Sequence, residues 1–273
     1  MKKTTSNAGP PITAAEDRFS KFGKDFHEEW YQKIIQTFHY DPLKDVQATN
    51  LLHSLLRSKS MAPTHTISLL HGKPAIIYGA GPSLEDQLSK LVESTQVIRK
   101  YVHVAADGAA RPLLKLGVQP QLVVTDLDGL EKQDLLQLSP SETLLAIHAH
   151  GDNIGALRDT IPKLPQKILG TTQSESTSRV HNVGGFTDGD RAFILTALAG
   201  ASNITLCGMD FGKRIGNYSK TRTSPDSVGI KRQKLRFGKD IIEWSLPYFD
   251  TRVATLTSNA RALSVPYISS VES

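Results

Sequence analysis

The stretch Leu122-Val123-Val124-Thr125-Asp126-Leu127-Asp128-Gly129 decides how this chain reads. A short β-branched run closes on two carboxylates two positions apart and then a glycine, the pattern of a buried strand that empties into a ligand-binding turn. Along a strand, residues i and i+2 project to the same side, so Asp126 and Asp128 are expected to point together where a parallel sheet opens onto its crevice. Hard oxygen ligands with little imidazole or thiolate suit Mg²⁺, which takes a few carboxylates and completes its shell with water and substrate phosphates. Taken alone, the pair is equally explained by one aspartate capping the next turn and the other meeting solvent. The surrounding sequence has to decide.

From Pro74 onward, short apolar runs alternate with helical stretches. The runs are Ala75–Tyr78, Tyr101–Ala106, Leu122–Val124, Thr143–Ile147, Lys167–Leu169 and Ile204–Leu206. This alternation predicts an α/β fold of three layers, doubly wound, with a largely parallel sheet and helices on both faces. Each run ends in Gly, Asp, Thr or His, and those ends are expected to line up along one edge of the sheet.

Ahead of this region, residues 1–12 are polar with Pro10-Pro11 and read as an unordered tip. Thr13-Ala-Ala-Glu16 reads as a capping box, and Phe19, Phe22, Phe26, Trp30, Ile34 and Phe38 follow at helical spacing, a packing stripe. Asp41-Pro42 breaks that helix, Leu43–Leu56 supplies a second, and a linker runs over Ser58–Thr66. The expected division is an N-terminal helical appendage over residues 1–68 and an α/β domain carrying the chemistry over residues 69–273.

Composition bounds the function. The chain is 39% hydrophobic and 22% charged, an ordinary globular balance. It has no apolar run near the roughly 20 residues that span a bilayer, and Met1-Lys-Lys-Thr-Thr begins no hydrophobic leader. The expectation is a cytoplasmic protein with no membrane partner. The single cysteine, Cys207, sits in the apolar run Ile204–Gly208 and reads as a small core residue. The net charge of +5 is concentrated: nine Lys or Arg stand against two Asp between Lys213 and Asp240. With aromatics at 7% and no aromatic-interleaved basic strand, a nucleic-acid surface is disfavoured and a local anionic ligand favoured.

The strand ends carry the chemistry. Gly79-Ala-Gly81-Pro-Ser83 places glycines where a backbone can approach a phosphate and a serine where a helix wants a cap. A dinucleotide fingerprint would want glycine at 84, where Leu84 stands. Asp107 beside Gly108 binds a ligand hydroxyl or caps a helix. His148-Ala-His150-Gly-Asp152-Asn153 sets two imidazoles on one side of an extended segment; with no HExxH helix and no usable cysteine, hydrogen bonding to phosphate is favoured over Zn²⁺ or Fe²⁺. Thr172 and Gln173 offer a hydroxyl and a two-way amide for a heterocycle edge. Gly184-Gly-Phe-Thr-Asp188-Gly-Asp-Arg191 resembles an anion cradle. Along Lys231–Leu246, Leu235, Ile242 and Leu246 give a helix one buried stripe and leave Lys231, Lys234 and Lys239 to reach triphosphate or water.

Six ordered motifs, Gly79–Ser83, Ala106–Ala109, Thr125–Gly129, His148–Asn153, Gly184–Arg191 and Gly208–Gly212, resemble the archaeal 6-hydroxymethyl-7,8-dihydropterin pyrophosphokinases, whose core is similar to thiamine pyrophosphokinase. The resemblance runs from the Trp30-Tyr31 helix to Leu246; the polar, irregular-looking segment Thr221–Gly229 and the first dozen residues stand outside its pattern. It implies transfer of the β,γ-diphosphate of ATP to the hydroxymethyl oxygen of a pterin, with AMP released, serving tetrahydromethanopterin-type or folate-type biosynthesis, and it points to a homodimer. It implies Asp126 and Asp128 as Mg²⁺ ligands, with Asp107 and Asp188 beside the metal or the attacking hydroxyl. Arg191, Lys213, Lys231 and Lys234 would neutralise phosphate charge, and His148 and His150 would orient phosphate oxygens. Gly79, Gly81 and Ser83 would form a substrate turn, and Asn153, Thr172 and Gln173 would read the pterin edge. Two other readings stand beside it. A sugar-nucleotide glycosyltransferase would release a nucleoside diphosphate, and a non-catalytic nucleotide or nucleic-acid binder would show no turnover.

Overall fold

The structure is a computed structural model that describes residues 12–212, 214–219, 225–258 and 263–271. Eight strands form one sheet: β1 Pro74–Tyr78, β2 Val102–Ala106, β3 Leu122–Thr125, β4 Leu144–Ala149, β5 Ile168–Thr172, β6 Val180–Asn182, β7 Asn203–Cys207 and β8 Arg252–Thr255. Every pairing is parallel, in the order β6-β5-β4-β3-β2-β1-β7-β8. The N-terminal region supplies α1 Ile12–Phe26, α2 Gln32–Phe38, α3 Pro42–Leu56 and α4 His65–Leu70. The crossovers supply α5 Leu84–Val92, α6 Thr95–Lys100, α7 Ala110–Lys115, α8 Lys132–Gln137, α9 Ile154–Thr160, α10 Asp188–Leu198 and α11 Pro225–Ser245.

Handedness explains the layering. The chain enters mid-sheet at β1 and steps outward to β6, then returns beside β1 as β7 and steps the other way to β8. Right-handed crossovers therefore put α5–α9 on one face and α10 and α11 on the other. Side-chain alternation agrees. Ile76, Tyr78, Val123, Leu145 and Ile147 pack with Leu88, Leu113, Leu135 and Leu157 on one face. Ile77, Val104, Val124, Ala146 and Leu206 pack with Phe193, Leu195 and Ile242 on the other. The direction of winding reverses between β1 and β7, so a crevice opens there beyond the carboxyl ends of the strands.

The aromatic stripe packs as expected: Phe19, Phe22, Phe26 and Ile34 are buried in the same cluster as the sheet. The single helix expected for it is instead α1 and α2 joined by a π-helical turn over His27–Tyr31. Phe22 and Phe26 meet Trp244 of α11 at ring distances of 5.6 and 6.3 Å. Meanwhile α3 joins the opposite cluster through Ala48, Leu52 and Leu56, so the N-terminal helices complete both faces of the main core. Ile12 already lies in the helix, so Thr13 does not stand in the cap position the sequence suggested. Within the segment expected to be irregular, Pro225–Gly229 lies in α11 and residues 221–224 lie outside the described ones. Among the described residues no helix is long and apolar enough to cross a membrane.

Candidate active site

Asp126 and Asp128 converge, although the pleat of a strand is not the cause. Strand β3 ends at Thr125, and Leu127 between the acids takes a left-handed φ of 69°. A branched, Cβ-bearing residue occupies that region only where its surroundings impose it. Here Thr125 Oγ1 accepts the Leu127 N–H at 2.8 Å and donates to Asp107 Oδ1 at 2.7 Å, while the Asp128 N–H donates to Asp126 Oδ1 at 3.1 Å. One threonine hydroxyl thus ties the turn after β3 to the acid after β2. Gly129 completes the junction, because a Cβ there would collide with the Asp107 carboxylate.

Carboxylate oxygens of Asp107, Asp126 and Asp128 lie within 4.8 Å of one another, the one group of three or more such ligands found among the described residues. Their electrostatics reflect the crowding. Removal from bulk water, and then the charge of Asp126, push Asp107 up to about 7. Asp126 is also penalised by burial, but the His150 imidazole holds it well below the usual carboxylate range. His150 Nδ1 accepts the Asp152 N–H, which leaves the ring proton on Nε2, 3.3 Å from Asp126 Oδ2. Asp188, at the start of α10, is raised well above the ordinary value by burial and by Asp126 and Asp107. Three acids that repel one another at this spacing are suited to a hard divalent cation, which relieves the repulsion.

The acids line a cavity of about 740 Å³ together with most of the other residues singled out from the sequence. Gly79, Gly81, His148, His150, Asn153, Gln173, Asp188, Arg191, Lys231 and Lys234 all reach it. Several of them are committed elsewhere. The turn at Gly79 and Gly81 packs on the loop after β7, where a Cβ at position 81 would collide with Asp210 and with the Gly208 carbonyl. These glycines therefore serve chain-to-chain approach. Ser83 does not cap its helix and does not line the cavity; its N–H and hydroxyl both donate to Asp210 Oδ2, at 3.2 and 2.9 Å. Asn153 donates to the Asp126 and His148 carbonyls and accepts the His150 N–H, fastening the β3 and β4 ends together. Thr172 also departs from the expectation: it is buried in a hydroxyl cluster with Thr49 and Ser174, which holds α3 to β5 away from the cavity.

The expected anion cradle is already filled. Asp190 accepts the N–H groups of Phe186 and Thr187 and the Thr187 hydroxyl, completing a capping box for α10. Arg191 is 1% exposed, donates to the Gly185 and Phe186 carbonyls, and lies 3.5 Å from Asp188 Oδ1. It braces this turn and faces Asp188, with little surface to offer a phosphate. His148 is buried against Thr171 and held neutral, well below the ordinary imidazole value, by burial and then by Arg191 and His150. Lys234 reaches the cavity over the rings of Tyr40 and Phe186, at 5.3 and 5.8 Å from their centroids. Lys239 pairs with Glu243 at 2.8 Å and does not line the cavity. Lys213 lies outside the described residues.

Two contributors had no legible signal. Asp45 of α3, 2% exposed, accepts the Gly151 N–H at 2.9 Å and supports Gln173; in sequence it is an ordinary first-turn acid of a helix. Tyr40 lies in the connection between α2 and α3 and lines the cavity beside Lys234. Asp210 was signalled only by the glycines flanking its segment.

Residues 49–216 match the family model described as 6-hydroxymethylpterin diphosphokinase MptE-like. The chain is 37% identical over 227 residues to 6-hydroxymethyl-7,8-dihydropterin pyrophosphokinase of Methanothermobacter thermautotrophicus, covering 82% of this chain and 95% of that protein. Identity to the proteins of the same name is 36% in Pyrococcus furiosus, covering 80% and 93%, and 33% in Methanocaldococcus jannaschii, covering 80% and 94%. A solved Maf glycosyltransferase from Magnetospirillum magneticum aligns with a TM-score of 0.47 at 16% identity, over 74% of this chain and 34% of its own length. With one model spanning most of the sheet and three relatives above 30% identity over four-fifths of its length, the chain belongs to the 6-hydroxymethylpterin diphosphokinase MptE-like family.

Proposed function

We propose that this protein transfers diphosphate from ATP to the hydroxymethyl oxygen of 6-hydroxymethyl-7,8-dihydropterin, giving the pterin diphosphate and AMP. The observation that carries it is the convergence of Asp107 and the Asp126/Asp128 pair, from two different crossovers, in one cavity with Asp188, His150, Lys231 and Lys234. In this reaction an O–P bond forms at the β-phosphorus, and the bridge between the α- and β-phosphates breaks with its electrons retained on AMP. The chain's share is positioning and charge neutralisation.

Asp126 and Asp128, with Asp107 beside them, would hold Mg²⁺. Bound there, the ion would offset negative charge on the triphosphate. His150 keeps Asp126 ionised and in place. Lys231 and Lys234 bring positive charge to the same cavity from α11. Asp188 stands outside the ligand cluster and lines the same cavity; with a cation offsetting the charge of Asp126 and Asp107 that raises its proton affinity, its carboxylate would take the proton of the attacking hydroxyl.

The direct test is an assay with ATP, Mg²⁺ and hydroxymethyl-dihydropterin, followed by chromatography. AMP and pterin diphosphate are expected in equal amounts. Release of ADP, or turnover confined to a sugar nucleotide with a nucleoside diphosphate released, would overturn the reading.

A further inference from the structure

Three buried polar atoms on the cavity wall have no hydrogen-bond partner among the described residues: Asp188 Oδ1, Arg191 Nε and Gln173 Oε1. The first two belong to opposite charges that face each other. Gln173 is different, because a neutral acceptor of a residue that lines the cavity, 3% exposed, is left without a partner. An acceptor left unpaired in that way is costly to the fold and calls for a partner from outside.

Asp45 sets which end of the amide is open. A glutamine amide can turn over and exchange its oxygen for its nitrogen. Against Asp45 only the nitrogen fits, since an ionised carboxylate accepts and does not donate: its oxygens take the Gly151 N–H, the Tyr31 hydroxyl and Gln173 Nε2, the last two at 3.3 Å. The main chain is fixed as well. His27 Nδ1 and Asn182 Nδ2 both lie against the Gln173 carbonyl, at 3.1 and 3.2 Å.

Sheet order gives the span. Gln173 follows β5 and Asp126 follows β3, two strands away, so about 10 Å of sheet separates them. That is comparable with the long axis of a fused bicyclic ring carrying one hydroxymethyl arm. Tyr40 and Phe186 line the cavity with Gln173, whereas Gly79, Gly81 and Asp210 belong to the β1 and β7 side.

Resting on the diphosphokinase reading above, we propose that Gln173 Oε1, held in that sense by Asp45, accepts an N–H from the aminopyrimidinone edge of the pterin. The ring then lies on the β4 and β5 side of the acids and the nucleotide on the β1 and β7 side.

Steady-state kinetics on the full chain, with intrinsic-fluorescence titration of hydroxymethyl-dihydropterin in the absence of ATP, test it. Gln173→Leu is expected to raise the pterin KM and weaken pterin binding about tenfold while the ATP KM stays unchanged. It should also abolish discrimination against an analogue lacking the 2-amino group. Asp45→Asn should show the same pterin defect, and the double variant Asp45→Asn/Gln173→Glu should restore binding, because a carboxylate presents an oxygen whichever way it turns. A purely structural role for Asp45 would not be rescued in this way. Equal rises in both KM values, retained discrimination, or no rescue would overturn the proposal. An absence of AMP from the unmodified protein would overturn the diphosphokinase reading, and the titration would still report on Gln173.

Discussion

Single atoms govern the acid cluster. Asp126→Asn and Asp128→Asn should each lower turnover at least about a hundredfold, the scale of losing several kcal/mol of charge stabilisation, with the circular-dichroism spectrum unchanged. Full activity in both variants would remove the metal assignment. Gly129→Ala drives a methyl group into the Asp107 carboxylate. A cost of about 1–3 kcal/mol in stability is expected from such overpacking, measured by denaturant unfolding, together with lost activity. His148 provides a pH signature. Its folded-state value lies below the ordinary 6.5, so the unfolded chain binds the proton first. Stability from this group is full above pH 6.5 and falls below it by about 1.4 kcal/mol per pH unit. Buried His103 and half-buried His181 are shifted in the same direction, by removal from water. His148→Gln should therefore remove one source of acid destabilisation between pH 6.5 and 5.5, where the raised carboxyls of Asp107 and Asp190 act in the opposite sense, and an unchanged slope of thermal stability against pH would contradict the assignment. The residue types at these positions could be read from the chain. Their engagement could not, because Asn153, Ser83 and Arg191 spend their polar groups on neighbours that adjoin them only after folding.

Among the elements, α11 carries the clearest division of labour. Lys231 and Lys234 reach the cavity, whereas Lys239 is paired with Glu243 on the same helix. Lys231→Ala with Lys234→Ala should raise the ATP KM more than the pterin KM, and Lys239→Ala, half-buried in an i,i+4 pair that does not line the cavity, should change neither by more than about twofold. Equal effects of the lysine pair on both substrates would argue against phosphate contact. The six strands expected from apolar runs are β1–β5 and β7, each displaced by no more than a few residues at its ends. The two edge strands gave no such run: Val180–Asn182 has three residues and one buried side chain, and Arg252–Thr255 begins with an exposed arginine. Edge strands bury less, so their sequences carry less of the pattern that reveals a strand.

For the molecule as a unit, α1 and α2 contribute Phe19, Phe22, Phe26 and Ile34 to the core that holds the sheet. Removing residues 12–40 should leave a chain that does not fold cooperatively. Phe26→Ala alone should cost about 3–5 kcal/mol, as for large-to-small changes at fully buried aromatic positions, measured by chemical denaturation. A truncated chain with a sharp unfolding transition would show the α/β part to be independent of these helices.

Local sequence was enough for the parallel architecture and for the places where its strands release their polar ends, because side-chain period and turn chemistry are short-range properties. It was also enough to put Asp107, Asp126 and Asp128 at one edge of such a sheet, since acids that follow apolar strands mark that edge, whereas Asp188 was signalled by the glycine-rich motif Gly184–Arg191. Folding settled the rest. The left-handed turn at Leu127, the filling of the α10 cradle by Asp190, the exclusion of Thr172 and the orientation of Gln173 by Asp45 all depend on neighbours far away in the chain. Which groups remain open for a ligand is fixed by packing across strands, and no window of sequence contains that information.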